Sequence, residues 1–294
     1  MFPAPFTYVR PRSLDEALHF LADHAEDTKV LAGGQSLIPL LKLRLVFPRF
    51  VLDIGRLEEL HGIHEHGAAI EIGSLLRHVE IERSELLRRA APLLAETAAE
   101  IGDVQVRNRG TIGGSLVHAD AAGDFPAAAL ALDAQMVIRG KAGERVVAAQ
   151  DFFVDLMTTA LQPDEILTAV RLSDMRARFG PRTGTAYVKL RQQASGFAIA
   201  GAVALIALDA SKKITHARVA ITGVNGIPYR ATGVEAKLLG EVAGDSLITS
   251  ASQHAADGID PLSDIHASAE YRRGMAAVVT RRALSKAIQL ATKS

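Results

Sequence analysis

Two stretches of this chain set paired glycines beside hydroxyl side chains, a pattern suited to holding phosphate. They are Leu31-Ala32-Gly33-Gly34-Gln35-Ser36-Leu37 and Thr111-Ile112-Gly113-Gly114-Ser115-Leu116. Glycine lets successive backbone N–H groups turn toward one point and lets a bulky ligand come close to the chain. N–H groups arranged in this way form an anion nest of the kind that takes a pyrophosphate. Each stretch follows a short apolar run, and its hydroxyl residue is placed to cap a helix. Just past the second stretch stand two carboxylates, in Asp120-Ala121-Ala122-Gly123-Asp124. A carboxylate there would repel phosphate, but it accepts hydrogen bonds from ribose or ribityl hydroxyls. Phosphate donors followed by a hydroxyl acceptor suit a dinucleotide, with the two stretches as facing walls of one cleft. The competing reading makes both stretches plain strand-to-helix turns.

Other chemistries lack their parts. No GxGxxG follows a strand and there is no GxxxxGK[ST], so neither the Rossmann nor the P-loop reading stands. No GxSxG elbow makes Ser36 or Ser115 a nucleophile. Cysteine is absent, which removes disulfides, thiolate chemistry and cysteine-bound iron–sulfur clusters. Redox chemistry here would need a bound organic cofactor. His61-Gly62-Ile63-His64-Glu65-His66 puts histidines at alternate positions, as a metal site would, but it sits at a Gly-flanked turn with no evident fourth ligand. We read it as ordinary turn polarity and expect no metal. His118 reads as a packed or solvated histidine beside the second stretch. Arg107 and Arg109 there attract phosphate, contact a subunit or are simply solvated.

Positioning these residues requires a set of elements that the sequence also suggests. Ser13-Leu14-Asp15-Glu16 is a capping box, followed by Leu14, Ala17, Leu18 and Leu21 on one helical face. Lys29-Val30-Leu31 reads as a strand delivering the first stretch, 36–45 as a short helix, and 50–54 as a buried strand. Together they make a small βαβαβ-like unit. Residues 68–72 then form one arm of a hairpin, with helices over 79–90 and 92–101. An apolar helix follows at 125–132, and a second hairpin pairs 136–138 with 145–147. After the turn-rich Arg178 to Gly184, long antiparallel strands are expected at 187–191, 198–208 and 215–222, then helices near 233–239, 245–256 and 269–291. The basic run from Arg272-Arg273 to Arg281-Arg282 reads as a solvated face of the last helix.

Composition sets outer limits. With 294 residues, 48% of them hydrophobic, the chain can bury a large core in two or three domains. The formal net charge of +0 gives no global electrostatic case for nucleic acid. No apolar run approaches the ~20 residues of a membrane span, and the opening Met1-Phe2-Pro3 lacks signal-peptide features, so we expect a cytoplasmic protein.

Taken in order, these motifs resemble the flavin-binding medium subunit of the molybdenum hydroxylases, the family that includes carbon monoxide dehydrogenase and xanthine oxidase. The resemblance runs from Pro5-Phe6-Thr7-Tyr8 through both glycine stretches. It continues to Asp164-Glu165-Ile166-Leu167, Tyr187-Val188-Lys189-Leu190 and Ala269-Glu270-Tyr271-Arg272-Arg273. It implies an α+β chain. A two-part FAD-binding domain of the PCMH (vanillyl-alcohol-oxidase-like) type would cover 1–176, with parts at about 1–57 and 58–176. An α+β domain with an antiparallel sheet and helices would cover 177–294. It implies FAD on this chain, with Ala32, Gly33, Gly34, Gln35, Ser36 and Leu37 wrapping the pyrophosphate from one side. Thr111, Gly113, Gly114 and Ser115 would wrap it from the other. Ile101 and Leu167 would lie against the flavin, Asp124 would bind a cofactor hydroxyl, and Lys189 would sit near the ring's polar edge. Many relatives carry Asn at the place of Ser115 and His at that of Gln35, and some carry Tyr at that of Phe197.

The resemblance further implies an oxidoreductase subunit of a heterotrimer. Electrons would come from a molybdenum cofactor in a large subunit through the [2Fe–2S] clusters of a small subunit. They would reach FAD here and leave to an external acceptor. The absence of cysteine fits that division and argues against variant medium subunits with an added iron–sulfur cluster. The alternative is a stand-alone FAD-dependent oxidase or dehydrogenase of the same flavoprotein fold. A non-catalytic scaffold with degenerate loops is a third.

Overall fold

The structure is a computed structural model and describes residues 2–293. Its first unit is built around a parallel sheet of three strands, β1 (Thr7–Val9), β2 (Thr28–Leu31) and β3 (Phe50–Asp53), in the order β1-β3-β2. Helix α1 (Leu14–His24) starts where Ser13 Oγ accepts from the Glu16 N–H. The return bond of the expected capping box goes elsewhere, since the Glu16 carboxylate takes the Arg12 N–H. Leu14, Ala17, Leu18 and Leu21 are buried against Leu52 and Ile54, as their helical spacing predicts. Helix α2 (Leu37–Lys42) follows the first glycine stretch and is shorter than expected.

The second unit carries an antiparallel sheet. Its strands are β4 (Ile63–His66), β5 (Ala69–Gly73), β6 (Gln135–Gly140), β7 (Gly143–Ala148) and β10 (Ile166–Ser173), in the order β4-β5-β10-β6-β7. The short strands β8 (Phe153–Asp155) and β9 (Thr158–Thr159) pair separately. Between β5 and β6 lie six helices: α3 (His78–Arg83), α4 (Glu85–Ala90), α5 (Pro92–Ala99), α6 (Val104–Arg107), α7 (Ile112–His118) and α8 (Asp124–Ala131). The single helix expected over 79–90 breaks at Ser84, because that side chain caps a new helix by accepting from the Leu87 N–H. Helix α9 (Ala149–Phe152) links β7 to β8. Helix α8 is buried on every side, so it runs through the core with no polar stripe.

After α10 (Met175–Phe179) the third sheet is antiparallel, with strands β11 (Thr183–Arg191), β12 (Ala198–Leu208), β13 (Ile214–Thr222) and β14 (Tyr229–Arg230) in sequential order. Helices α11 (Thr232–Leu238), α12 (Asp245–Ser252) and α13 (Ala269–Lys293) follow. The small residues Ala276, Ala283, Ala287 and Ala291 let α13 lie close on β11 and β12. At Gly184 of β11 an added Cβ would stand 2.0 Å from the Ala287 carbonyl oxygen, so only glycine permits that approach. The other face of this sheet meets α5 and α8: Tyr187, Val203, Leu205 and Ala220 join the core of the second unit. Among the described residues no helix is long and apolar enough to cross a membrane.

Candidate functional site

The two glycine stretches meet. An added Cβ on Gly33 would stand 2.2 Å from the Arg109 carbonyl oxygen and 2.9 Å from the Gly110 Cα. The first stretch therefore lies directly on the segment that leads into the second. Gly34 has φ +76, the left-handed region that favours glycine, and turns the chain from β2 into α2. Among the described residues, the backbone N–H groups of Gly33, Gly34, Gln35, Ser36 and Leu37 have no protein partner. Five successive N–H groups without a protein partner at a bend are donors that an anion could take up. Ser36 occupies the N-cap position without capping α2, so its hydroxyl is free too.

The second stretch differs from the expected nest. Residues 112–118 are already helical, with Thr111 as N-cap. Gly113 N–H donates to the Ser74 carbonyl, Gly114 N–H to Thr111 Oγ1 and Ser115 N–H to the Thr111 carbonyl. These donors are taken because antiparallel backbone pairing with 74–78 draws the segment into α7. What it offers outward is a smooth surface. Gly114 is exposed, and an added Cβ there would meet Thr111 Oγ1 at 2.8 Å and no other atom within 4 Å. Ser115 adds a half-buried hydroxyl. Gly113 is buried tightly against Ser74, whose hydroxyl lacks a partner.

Charged side chains close the neighbourhood. Arg107 pairs with Glu82 at 3.0 Å and donates to the carbonyls of Ile101 and Gly102. It thus braces the wall instead of facing a ligand. Arg109 is exposed and, among the described residues, has no side-chain partner. His118 lies 3.9 Å from Asp120, whose side chain accepts the Ala122 N–H in a turn. Beneath Gly110 the imidazole of His78 is buried, edge-on to Phe125 at 5.1 Å. Burial, with the nearby Arg107 charge, holds its pKa down at about 4.

Asp124 and Lys189 are brought together, 65 positions apart in sequence. Lys189 Nζ donates to the Asp124 carboxylate at 3.0 Å and to the Glu100 carbonyl at 2.7 Å. Tyr187 donates to the same carboxylate. The Lys189 side chain is 0% exposed and that of Asp124 5%, so both are committed to protein partners. Burial raises the Asp124 pKa, while Lys189 and the Tyr187 hydroxyl oppose that rise. Leu167 is buried in the main core and Ile101 packs against its edge. Phe197 is exposed at the tip between β11 and β12, where Gly196 comes within 3.5 Å of Gly102 at its Cβ position. His61 and His64 border a separate polar cavity with Glu71 and Arg171, and no group suited to a metal occurs among the described residues.

Sequence reasoning missed Tyr187 as a site residue, along with the Glu100 carbonyl. Only the Tyr-Val-Lys spacing, which puts Tyr187 and Lys189 on one face of a strand, hinted at the pairing.

A family described as "FAD binding domain in molybdopterin dehydrogenase" matches residues 4–173, and one described as "CO dehydrogenase flavoprotein C-terminal domain" matches 185–287. The chain is 36% identical over 287 residues to the carbon monoxide dehydrogenase medium chain of Hydrogenophaga pseudoflava, covering 98% of each. It is 36% identical over 288 residues to caffeine dehydrogenase subunit beta of a Pseudomonas species, covering 98% of this chain and 96% of that one. A chain of the carbon monoxide dehydrogenase structure from Hydrogenophaga pseudoflava superposes with a TM-score of 0.94 at 36% identity, covering 99% of each.

Proposed function

This chain belongs to the FAD-binding medium subunits of the molybdenum hydroxylase family, and we propose that it is the electron relay of such an enzyme. On this reading it takes electrons from the [2Fe–2S] clusters of a small subunit, which a molybdenum-containing large subunit supplies. It passes them to an external acceptor. FAD supplies the conversion between one-electron and two-electron chemistry. The observation that carries the reading is the run of free N–H groups from Gly33 to Leu37, set against the Arg109–Ser115 segment.

The residues divide the work. Gly33 to Leu37 donate to the pyrophosphate, and the Ser36 and Ser115 hydroxyls add donors. The exposed Gly114 leaves a flat face against which the pyrophosphate can lie, and Gly113 beneath it lets that turn pack on Ser74. The free Arg109 adds positive potential at the rim. Ile101 and Leu167 exclude water on the ring side. Asp124 and Lys189 form a buried, balanced pair in the adjoining wall. We assign residues 1–176 to cofactor binding, in parts of 1–57 and 58–176, and 177–294 to a C-terminal domain that closes the ring side.

An absorption spectrum of the purified chain tests this, with the released cofactor identified after denaturation. A flavin spectrum with FAD released is the expected result. A colourless chain that also takes up no added FAD overturns the reading. Capture of a molybdenum-containing chain and a [2Fe–2S] chain from the native source tests the partners.

A further inference from the structure

Tyr187 belongs to a motif shared with the family, yet nothing above gives it a task. Its ring lies in the main core, where phenylalanine would fill the same volume. Its hydroxyl is different. A buried hydroxyl without a hydrogen bond is costly, and this one has a single hydrogen-bond partner, the Asp124 carboxylate. The chain also makes room for it. Gly201 of β12, opposite Lys189 in register, would place a Cβ 2.8 Å from the Tyr187 oxygen, so any side chain there would displace the hydroxyl. Asp124 opens α8, where the helix dipole favours a carboxylate. Lys189 connects the pair to the Glu100 carbonyl at the end of α5. Ile101 and Gly102 follow directly.

We infer that Tyr187 is a positioning residue of the cofactor cleft: its hydroxyl, seated over Gly201, holds Asp124 against Lys189, and Lys189 fixes the Glu100–Gly102 wall. The C-terminal sheet thereby sets both the shape and the charge of the ring side. The charged and titratable groups facing the carboxylate are Lys189, Tyr187 and Glu100, with Arg191 beyond Glu100. The Tyr187 hydroxyl and Lys189 both favour the charged Asp124 carboxylate against the burial that disfavours it. Without the hydroxyl Asp124 takes up a proton more readily, and the Lys189 charge is left uncompensated. The effect on bound flavin rests on the reading given under Proposed function, but the wall-fixing does not.

The test is Tyr187→Phe in the full chain, measured in two ways. Without cofactor, hydrogen exchange of the amides in 100–107 is expected to quicken about tenfold, the scale of one lost hydrogen bond. Exchange across β12 and β13 stays unchanged. Unchanged exchange in 100–107, or an equal rise across β12 and β13, overturns the inference. With FAD bound, the flavin midpoint potential is expected to move to more positive values in Tyr187→Phe and further in Asp124→Asn, because an uncompensated cation favours the reduced ring. An unchanged potential in Tyr187→Phe overturns the charge-setting role. Should the unaltered chain take up no FAD, the functional reading falls, and the exchange measurement still decides the role of Tyr187.

Discussion

The glycines of the two stretches serve different physical needs. Gly33 is required by the protein itself, since no Cβ fits beneath Arg109. Gly34 is required by its left-handed φ. Gly114 is needed less by the fold, because a Cβ there would crowd only the Thr111 hydroxyl, at 2.8 Å, and otherwise face open space. A glycine so lightly required by packing is best explained by what comes to lie on it. Gly114→Val should therefore abolish FAD binding. Its cost in stability should be about 1 kcal/mol, through disturbance of the Thr111 cap. Flavin content and urea unfolding of the purified variant measure both, and full flavin occupancy would contradict the assignment. The residue types singled out these two stretches in the sequence. They did not show which N–H groups were free, because that depends on Ser74 and Leu76, residues far from the second stretch.

At the scale of elements, most strands and helices follow from local patterning. Alternation and apolar runs marked the hairpins and the long strands β12 and β13, and caps marked α1. The misreading of Arg272 shows where local patterning stops. Helical periodicity made it part of a solvated basic face, and Arg281 and Arg282 are indeed exposed. Arg272 is 4% exposed and donates to the carbonyls of Ile199 and Gly223 and to the Asp264 carboxylate. Beside Gly223, Thr222 holds the carbonyls of Ala121 and Gly123, and Gly223 N–H donates to Ala121. Arg272 thus anchors α13 to the strand ends that carry the loop before Asp124. Arg272→Met should destabilise the chain by about 1–3 kcal/mol, because it leaves the buried Gly223 carbonyl and the part-buried Ile199 carbonyl without their donor, while the exposed Asp264 carboxylate keeps its water and backbone partners. Urea unfolding measures this, and a loss under about 1 kcal/mol would show that water replaces those contacts.

For the molecule as a whole, the second unit and the third region are joined by polar groups as well as by an apolar core. Asp133, after α8, receives Arg178, Arg218 and Arg230 from the third region, and Lys286 of α13 reaches Glu96 of α5. Stability at this scale should depend on acid through His78. Its pKa is held at about 4 in the folded chain, below its ordinary 6.5, so the unfolded chain binds the proton first. Stability is then complete above pH ~6.5 and falls as pH drops toward 4, by about 3 kcal/mol for the full shift. The loosening should begin at Gly110, which covers the imidazole. Urea unfolding at several pH values, compared with His78→Gln, checks this. An identical pH slope in the variant would remove His78 as the cause.

The sequence by itself marked the phosphate-suited glycine stretches and most strands and helices, because glycine pairs, caps and hydrophobic periods act over a few residues, and its ordered motifs carried the resemblance that implied FAD, an α+β chain and the family. Tertiary structure alone decided which groups share a wall. It set Gly33 on Arg109, filled the donors of the second stretch, and drew Tyr187 and Lys189 onto Asp124. It also turned Arg272 inward. Each of these joins residues from separate elements, and each depends on burial, which makes an unpaired polar group costly. No local pattern records which partner will meet that cost.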